Sequence, residues 1–139
     1  MFQKILVAYD GSPHSERALA MAIDLAKCAG ASITLLNAYD KIPGDLGEPN
    51  FQEVLNRTVV AARDMMLNVL TKVRDEGQTA DMNVLEGPAP DAILRVAETE
   101  GYDLIVMGSR GLGHFQGLLI GSVSDRVMHH ANIPVLIVR

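Results

Sequence analysis

Short runs of apolar residues alternate along the chain with longer segments in which apolar residues recur at helical spacing. The apolar runs are Lys4–Tyr9, Ile33–Tyr39, Leu104–Met107 and Val135–Val138, with a weaker run at Met82–Leu85. Continuous apolar runs, in contrast to alternating ones, are typical of strands that are covered on both faces. The pattern therefore predicts five strands of a parallel sheet.

Four helices are predicted between these strands. They span Pro13–Ala29, about Phe51–Glu76, about Asp91–Glu100, and a shorter segment from Gly121 to near His130. Ser12 followed by Pro13 is typical of a helix start, and Gly30 is typical of a helix end. The strict alternation of strands and helices predicts an α/β fold with an open parallel sheet and helices on both faces. We expect a single domain over residues 1–139.

Two segments depart from the regular pattern. Pro134 is interpreted as lying inside the last strand, and because proline cannot donate to a ladder, this strand is predicted at a sheet edge. An apolar edge strand should be covered or paired, so it is a candidate dimer seam. Asp40–Asn50, with two prolines and two glycines, is long for an α/β connection and is either a mobile lid or an irregular loop.

Composition narrows the classes of function. The chain has 139 residues, 48% of them hydrophobic, and a net charge of −5, which argues against nucleic acid or an acidic membrane surface as a partner. No run approaches the ~20 apolar residues of a membrane span. The first residues lead directly into a strand pattern with no signal peptide, and the lone Cys28 cannot form an internal disulfide. We therefore expect a cytoplasmic protein.

The richest candidate site follows the fourth strand. Ligands of open parallel sheets bind beyond the carboxyl ends of the strands, and there residues 108–122 read GSRGLGHFQGLLIGS, with five glycines. Glycines would let the backbone adopt positive φ and approach a ligand, and successive N–H groups would form an anion site. Ser122 would begin the last helix, and Arg110 would add a charge-assisted hydrogen bond. This segment predicts phosphate binding; the alternative is a glycine-rich surface loop without a ligand.

Other nucleotide and metal motifs do not fit. The loop has no lysine for a Walker A motif, and a dinucleotide fingerprint starting at Gly111 would place Gln116 where its third glycine belongs. A receiver domain would need an acidic pair after the first strand and an aspartate after the third, where this chain has Glu86; a flavodoxin would need a Ser/Thr-rich loop at residues 10–15. The histidines at positions 14, 114, 129 and 130 show no metal-ligand spacing.

The spacing Gly108-x2-Gly111-x9-Gly121-Ser122 resembles the nucleotide-binding motif G-x2-G-x9-G-[ST] of the universal stress protein family. The segments ILVAYDGS, DLIVMGSRG and GSVSDRVMHHANIPVLIVR are also similar to family sequence, so the resemblance covers essentially the whole chain. It implies a Rossmann-like sheet of order 3-2-1-4-5, a homodimer through the last strand, and ATP binding as in the motif-bearing members. His114 and Gln116 stand where relatives often carry basic residues.

The resemblance also implies roles for individual residues. Asp10 would lie near the ribose or a metal-bearing phosphate, with Mg²⁺ or Mn²⁺ as the accompanying ion. The remaining contacts that the resemblance implies are Ala8 at the pocket wall, Ala38 at adenine, Gly108, Arg110 and Gly111 at ribose and phosphates, and Gly121, Ser122, Val123 and Ser124 at the terminal phosphates. Met107 is a further candidate because it ends the fourth strand beside the site.

Three functions follow from this site. The first is a stress-linked regulator in which bound ATP acts as a switch, because no nucleophile–base pair with an orienting group is evident. The second is slow ATP hydrolysis or self-phosphorylation in the same pocket, with Ser109, Ser122 and Ser124 as acceptor candidates. The third is a nucleotide-independent module that binds an unknown protein partner through its edge strand and the Asp40–Asn50 loop.

Overall fold

The computed structural model describes residues 1–111 and 120–139. Its strands are β1 (Lys4–Ala8), β2 (Ser32–Tyr39), β3 (Ala80–Glu86), β4 (Leu104–Gly108) and β5 (Val135–Val138). Its α-helices are α1 (Pro13–Ala29), α2 (Asn50–Asp75), α3 (Ala89–Thr99) and α4 (Ser122–His130), and a short 3-10 helix covers Gly44–Leu46. Each predicted strand and helix is present, with ends shifted by at most a residue or two.

The five strands form one sheet in the order β3-β2-β1-β4-β5, and all pairs are parallel. This confirms the predicted order and the Rossmann-like arrangement. Helices α1 and α2 pack on one face of the sheet, and α3 and α4 pack on the other. Because side chains alternate along a strand, Ile5 and Val7 join the core under α1 and α2, whereas Leu6 and Ala8 face α3 and α4.

The predicted ends of α1 are confirmed by their hydrogen bonds. Ser12 is the N-cap, and its hydroxyl accepts from the backbone N–H of Ser15 at 3.2 Å. Gly30 ends the helix in the left-handed conformation with φ of 69°, which an L side chain adopts at a cost. Local sequence therefore sets both ends of the helix that follows β1.

The last strand lies at the sheet edge as predicted, but the interpretation of Pro134 as a residue within it is wrong. β5 begins one residue later, at Val135. The Pro134 carbonyl accepts a hydrogen bond from Ile105 N at 3.0 Å, so proline continues the ladder with the acceptor that it retains. Within the described part of the chain, no helix has both the length and the apolarity needed to cross a bilayer.

Candidate functional site

A cavity of about 590 Å³ opens at the carboxyl ends of the strands. All eleven residues predicted for the site line it: Ala8, Asp10, Ala38, Met107, Gly108, Arg110, Gly111, Gly121, Ser122, Val123 and Ser124. The sequence motif and the strand ends therefore meet in one place. Whether these residues bind a ligand remains a prediction.

Small side chains create the apolar part of the cavity. Ala8 and Met107 belong to the face of the sheet that carries α3 and α4, and strand alternation puts Ala38 on the same face as Leu36. The two alanines follow larger side chains on β1 and β2, so each strand leaves space at its end. Ile93 of α3 lines the same space. The result is an apolar recess within the cavity.

The amino terminus of α4 forms the polar part of the cavity. The N–H of Gly121 donates to the Ser109 carbonyl at 2.6 Å, and the N–H of Ser109 donates to the Val138 carbonyl at 2.7 Å. These two amides are therefore used within the protein. The first intrahelical bond runs from Asp125 N to Gly121 O, so helix geometry leaves the N–H groups of residues 122–124 without intrahelical acceptors. They are the donors available to an anion here.

The expectation that the motif glycines adopt positive φ is wrong for the three that are described. Positive φ occurs at other glycines, including Gly11, but not at Gly108, Gly111 or Gly121. Instead, each of these glycines lies where a side chain would come very close to a neighbouring residue. A Cβ on Gly108 would lie 2.7 Å from His14 Cβ, one on Gly111 would lie 2.7 Å from Asp10 Oδ2, and one on Gly121 would lie 3.3 Å from the Ser109 carbonyl oxygen.

Two side chains of opposite charge line the cavity. Asp10 follows β1, and its Oδ1 accepts from Ser12 N at 2.9 Å, which orients the carboxylate. Arg110 follows β4 and lines the same cavity. Burial, followed by the positive charges of Arg17 and Arg110, lowers the pKa of His14. A carboxylate and a guanidinium beside helix amides that have no intrahelical acceptor can hold a phosphorylated ligand and its counter-ion.

The serines differ in their access to the cavity. Ser109 and Ser124 are buried, and the Ser124 hydroxyl donates to the Ser109 carbonyl at 2.8 Å. Ser122 is exposed and lines the cavity. Of the three proposed phosphate acceptors, Ser122 therefore has the accessible hydroxyl. His114 and Gln116 lie outside the described residues.

Sequence reasoning missed the contribution of α2. Ala61, Ala62 and Met65 line the cavity from the face of the sheet opposite α3, and Met65 Sδ lies 3.2 Å from the position of a Cβ on Gly11. Helical periodicity places Ala62 and Met65 on the apolar side of α2, but it does not show that this side extends past the ends of the strands.

Comparison with known proteins places these features in a family. The model of the universal stress protein family matches residues 1–139. A universal stress protein of Thermus aquaticus is 44% identical over 141 residues, with the whole of both chains aligned. Among solved structures, that of the hypothetical protein MJ0577 is 30% identical in sequence, with a TM-score of 0.90 over 99% of this chain and 96% of that one. A universal stress protein in complex with cAMP is 26% identical with a TM-score of 0.68 over 99% and 97% of the two chains.

Proposed function

The chain belongs to the universal stress protein family, and from that premise we propose that it is a regulatory protein whose state is set by bound ATP. The triphosphate binds at the amino terminus of α4 and at Arg110, and the base occupies the apolar recess beside Ala8, Ala38 and Met107. Because no nucleophile–base pair is evident in the sequence, ATP acts as a ligand that shifts the population of states.

The observation that carries the proposal is the pairing of this recess with the helix amides in one cavity. Three N–H groups without intrahelical acceptors, together with the helix dipole, favour an anion. The recess favours an aromatic ring. A nucleotide is a ligand that carries both an anionic phosphate group and an aromatic ring in one molecule. Support also comes from the similar universal stress protein that was solved with cAMP.

A divalent ion accompanies ATP in this proposal. Mg²⁺ is commonly held by one or two carboxylates together with substrate phosphates. Asp10 supplies such a carboxylate at the cavity, and the described residues contain no cluster of three or more His, Cys, Asp or Glu that could hold a metal ion alone. Mg²⁺ or Mn²⁺ would thus enter with the nucleotide, held by Asp10 and the phosphates.

Titration calorimetry with Mg-ATP tests the proposal directly. We expect Arg110→Gln to weaken ATP binding by about tenfold, because a charge-assisted hydrogen bond is lost. Arg126→Gln is the matched control, since it removes the same charge from α4, where Arg126 pairs with Asp91 outside the cavity lining. Gly121→Val should block ATP binding. The absence of binding heat in the wild type, or equal losses in the two arginine variants, would refute the proposal.

A second candidate, slow hydrolysis or self-phosphorylation, is favoured by the accessible hydroxyl of Ser122 at the cavity. The discriminating assay follows ADP release and phosphoprotein over hours with Mg²⁺ or Mn²⁺. Asp10→Ala and Ser122→Ala should lower the signal if this candidate is correct. Release equal to that in buffer eliminates it and leaves ATP as a bound ligand. The third function, a nucleotide-independent binding module, predicts that chromatography of the deproteinised sample detects no nucleotide.

We further propose that the protein is a homodimer through β5. All four residues of this edge strand are apolar and only half-buried, and β4 pairs with its other side. Edge strands of this kind are normally covered or paired. Sedimentation should give a dimer mass for the wild type and a monomer mass for Ile137→Lys. A wild-type monomer at micromolar concentration would refute this assembly.

A further inference from the structure

One long segment of the chain lines the cavity at both ends and contains no fully buried residue in between. It starts at Asp40 and ends at Met65, both of which line the cavity. From Asp40 to Met65, a stretch that the structure describes throughout, no residue is buried. We call this stretch the overhanging segment. It contains the 3-10 helix and the first part of α2.

The two parts of α2 are held differently. The buried residues of α2 are Met66, Val69, Leu70 and Val73, all in its second half, where they join the core under the sheet. The first half extends past this core. Segments with few buried apolar contacts open at low free-energy cost. The overhanging segment is therefore weakly held, whereas residues 66–75 are firmly packed.

The first half of α2 nevertheless carries an apolar stripe. Phe51, Val54, Leu55, Val59 and Ala62 recur at helical spacing, and each is partly buried. Most residues between them, such as Val60, are exposed. The stripe continues directly into the cavity wall at Ala62 and Met65. The stripe therefore has apolar surface that a further closing movement would bury.

We propose that the overhanging segment changes position when a ligand occupies the cavity. A bound nucleotide contacts Asp40 at one end of the segment and Ala62 and Met65 at the other. These contacts draw the first half of α2 onto the strand ends. This rests on the proposed function and adds how the bound state is presented to a partner. A ligand shifts such an equilibrium only through contacts that differ between the two states. The α2 contacts are of that kind because they lie on the weakly held element.

Hydrogen exchange measured by mass spectrometry, with and without saturating Mg-ATP, tests the inference. We expect amides of residues 50–62 to exchange about tenfold more slowly when ATP is bound, because the segment is then held closed. Residues 66–75 provide the internal comparison and should change little. Calorimetry on the same sample establishes that the cavity is filled.

A matched pair of variants separates closure from binding. Val59→Asp places a charge on the stripe, whereas Val60→Asp places the same charge on the exposed face one residue later. Neither residue lines the cavity. We expect Val60→Asp to keep the ATP-dependent slowing and Val59→Asp to lose it, with both variants still binding ATP.

A failure of this inference can be distinguished from a failure of the proposed function. Unchanged exchange in the wild type despite measured ATP binding overturns this inference and leaves the proposed function intact. Equal behaviour of the two variants also overturns it. Absence of ATP binding in the wild type overturns the proposed function, and this inference with it.

Discussion

Gly108→Ala should destabilise the fold much more than its single added methyl group suggests. Gly108 ends β4, and its missing side chain points at the first turn of α1. A Cβ there would lie 2.7 Å from His14 Cβ and 2.8 Å from the His14 backbone carbonyl carbon. Carbon atoms in contact normally stand about 3.5–4.0 Å apart. The backbone of α1 would therefore have to move by nearly an ångström.

The size of the expected stability loss depends on which part of the structure must move to make room for the methyl group. Overpacking of a filled interior typically costs about 1–3 kcal/mol, and the strand propensity that alanine gains over glycine offsets only part of it. The first turn of α1 is held by the Ser12 cap, so it cannot shift alone. We expect a loss of about 2 kcal/mol, which lowers the urea midpoint by about 1 M and the melting temperature by about 5 °C.

Urea unfolding followed by circular dichroism measures this loss. Gly44→Ala is the matched control, because a Cβ on Gly44 would meet no described atom within 4 Å and its φ is not positive. That variant should stay within about 0.5 kcal/mol of the wild type. Equal midpoints for the two variants would show that the close packing of β4 against α1 does not constrain the protein in solution.

The remaining predictions concern three other positions. Gly111→Ala should weaken ATP binding in calorimetry while changing the urea midpoint little. The reason is that the new Cβ would displace the Asp10 carboxylate, whose Oδ2 would lie 2.7 Å away, and not a packed backbone. A large loss of stability would contradict this prediction. Ser124→Ala should cost about 1 kcal/mol in urea unfolding through loss of a buried hydrogen bond of 2.8 Å, whereas the exposed Ser122→Ala should be nearly neutral. The pKa of His14 is lowered from 6.5 in the folded state, so the unfolded chain takes up the proton first as pH falls and stability should decrease below pH 6.5. His14→Gln should show a shallower decrease, and an unchanged slope would argue against this assignment.

Signals that depend on neighbours in the sequence were predictable. Ser12, Pro13 and Gly30 set the ends of α1 through local hydrogen bonds and backbone conformation, and both ends agree with the structure. Apolar runs located the strands for the same reason. The order of the strands did not follow from these runs, since they do not determine which strands are neighbours; it came from the resemblance to the family.

Signals that depend on distant contacts were not predictable. Nothing near Gly108 in the sequence indicates that α1 lies against it, so glycine there was assigned to positive φ and close approach to a ligand, whereas the structure shows close packing against His14. The wall formed by Ala61 and Ala62 was missed for a related reason. Periodicity gives the apolar side of α2, but how far a helix extends beyond the sheet depends on the length and path of the preceding loop.

The three described glycines of the motif therefore have different significance for function. Gly108 is required by the packing of α1 whether or not a ligand binds. Gly121 lies beside Ser109, the residue directly after β4, and its N–H donates to the Ser109 carbonyl at 2.6 Å. Gly111 is exposed, and among the described residues the atoms near its missing side chain belong to the Asp10 carboxylate. We therefore expect a side chain at position 111 to disturb the orientation of Asp10 in the cavity more than the fold, so that substitution there separates the site from the fold.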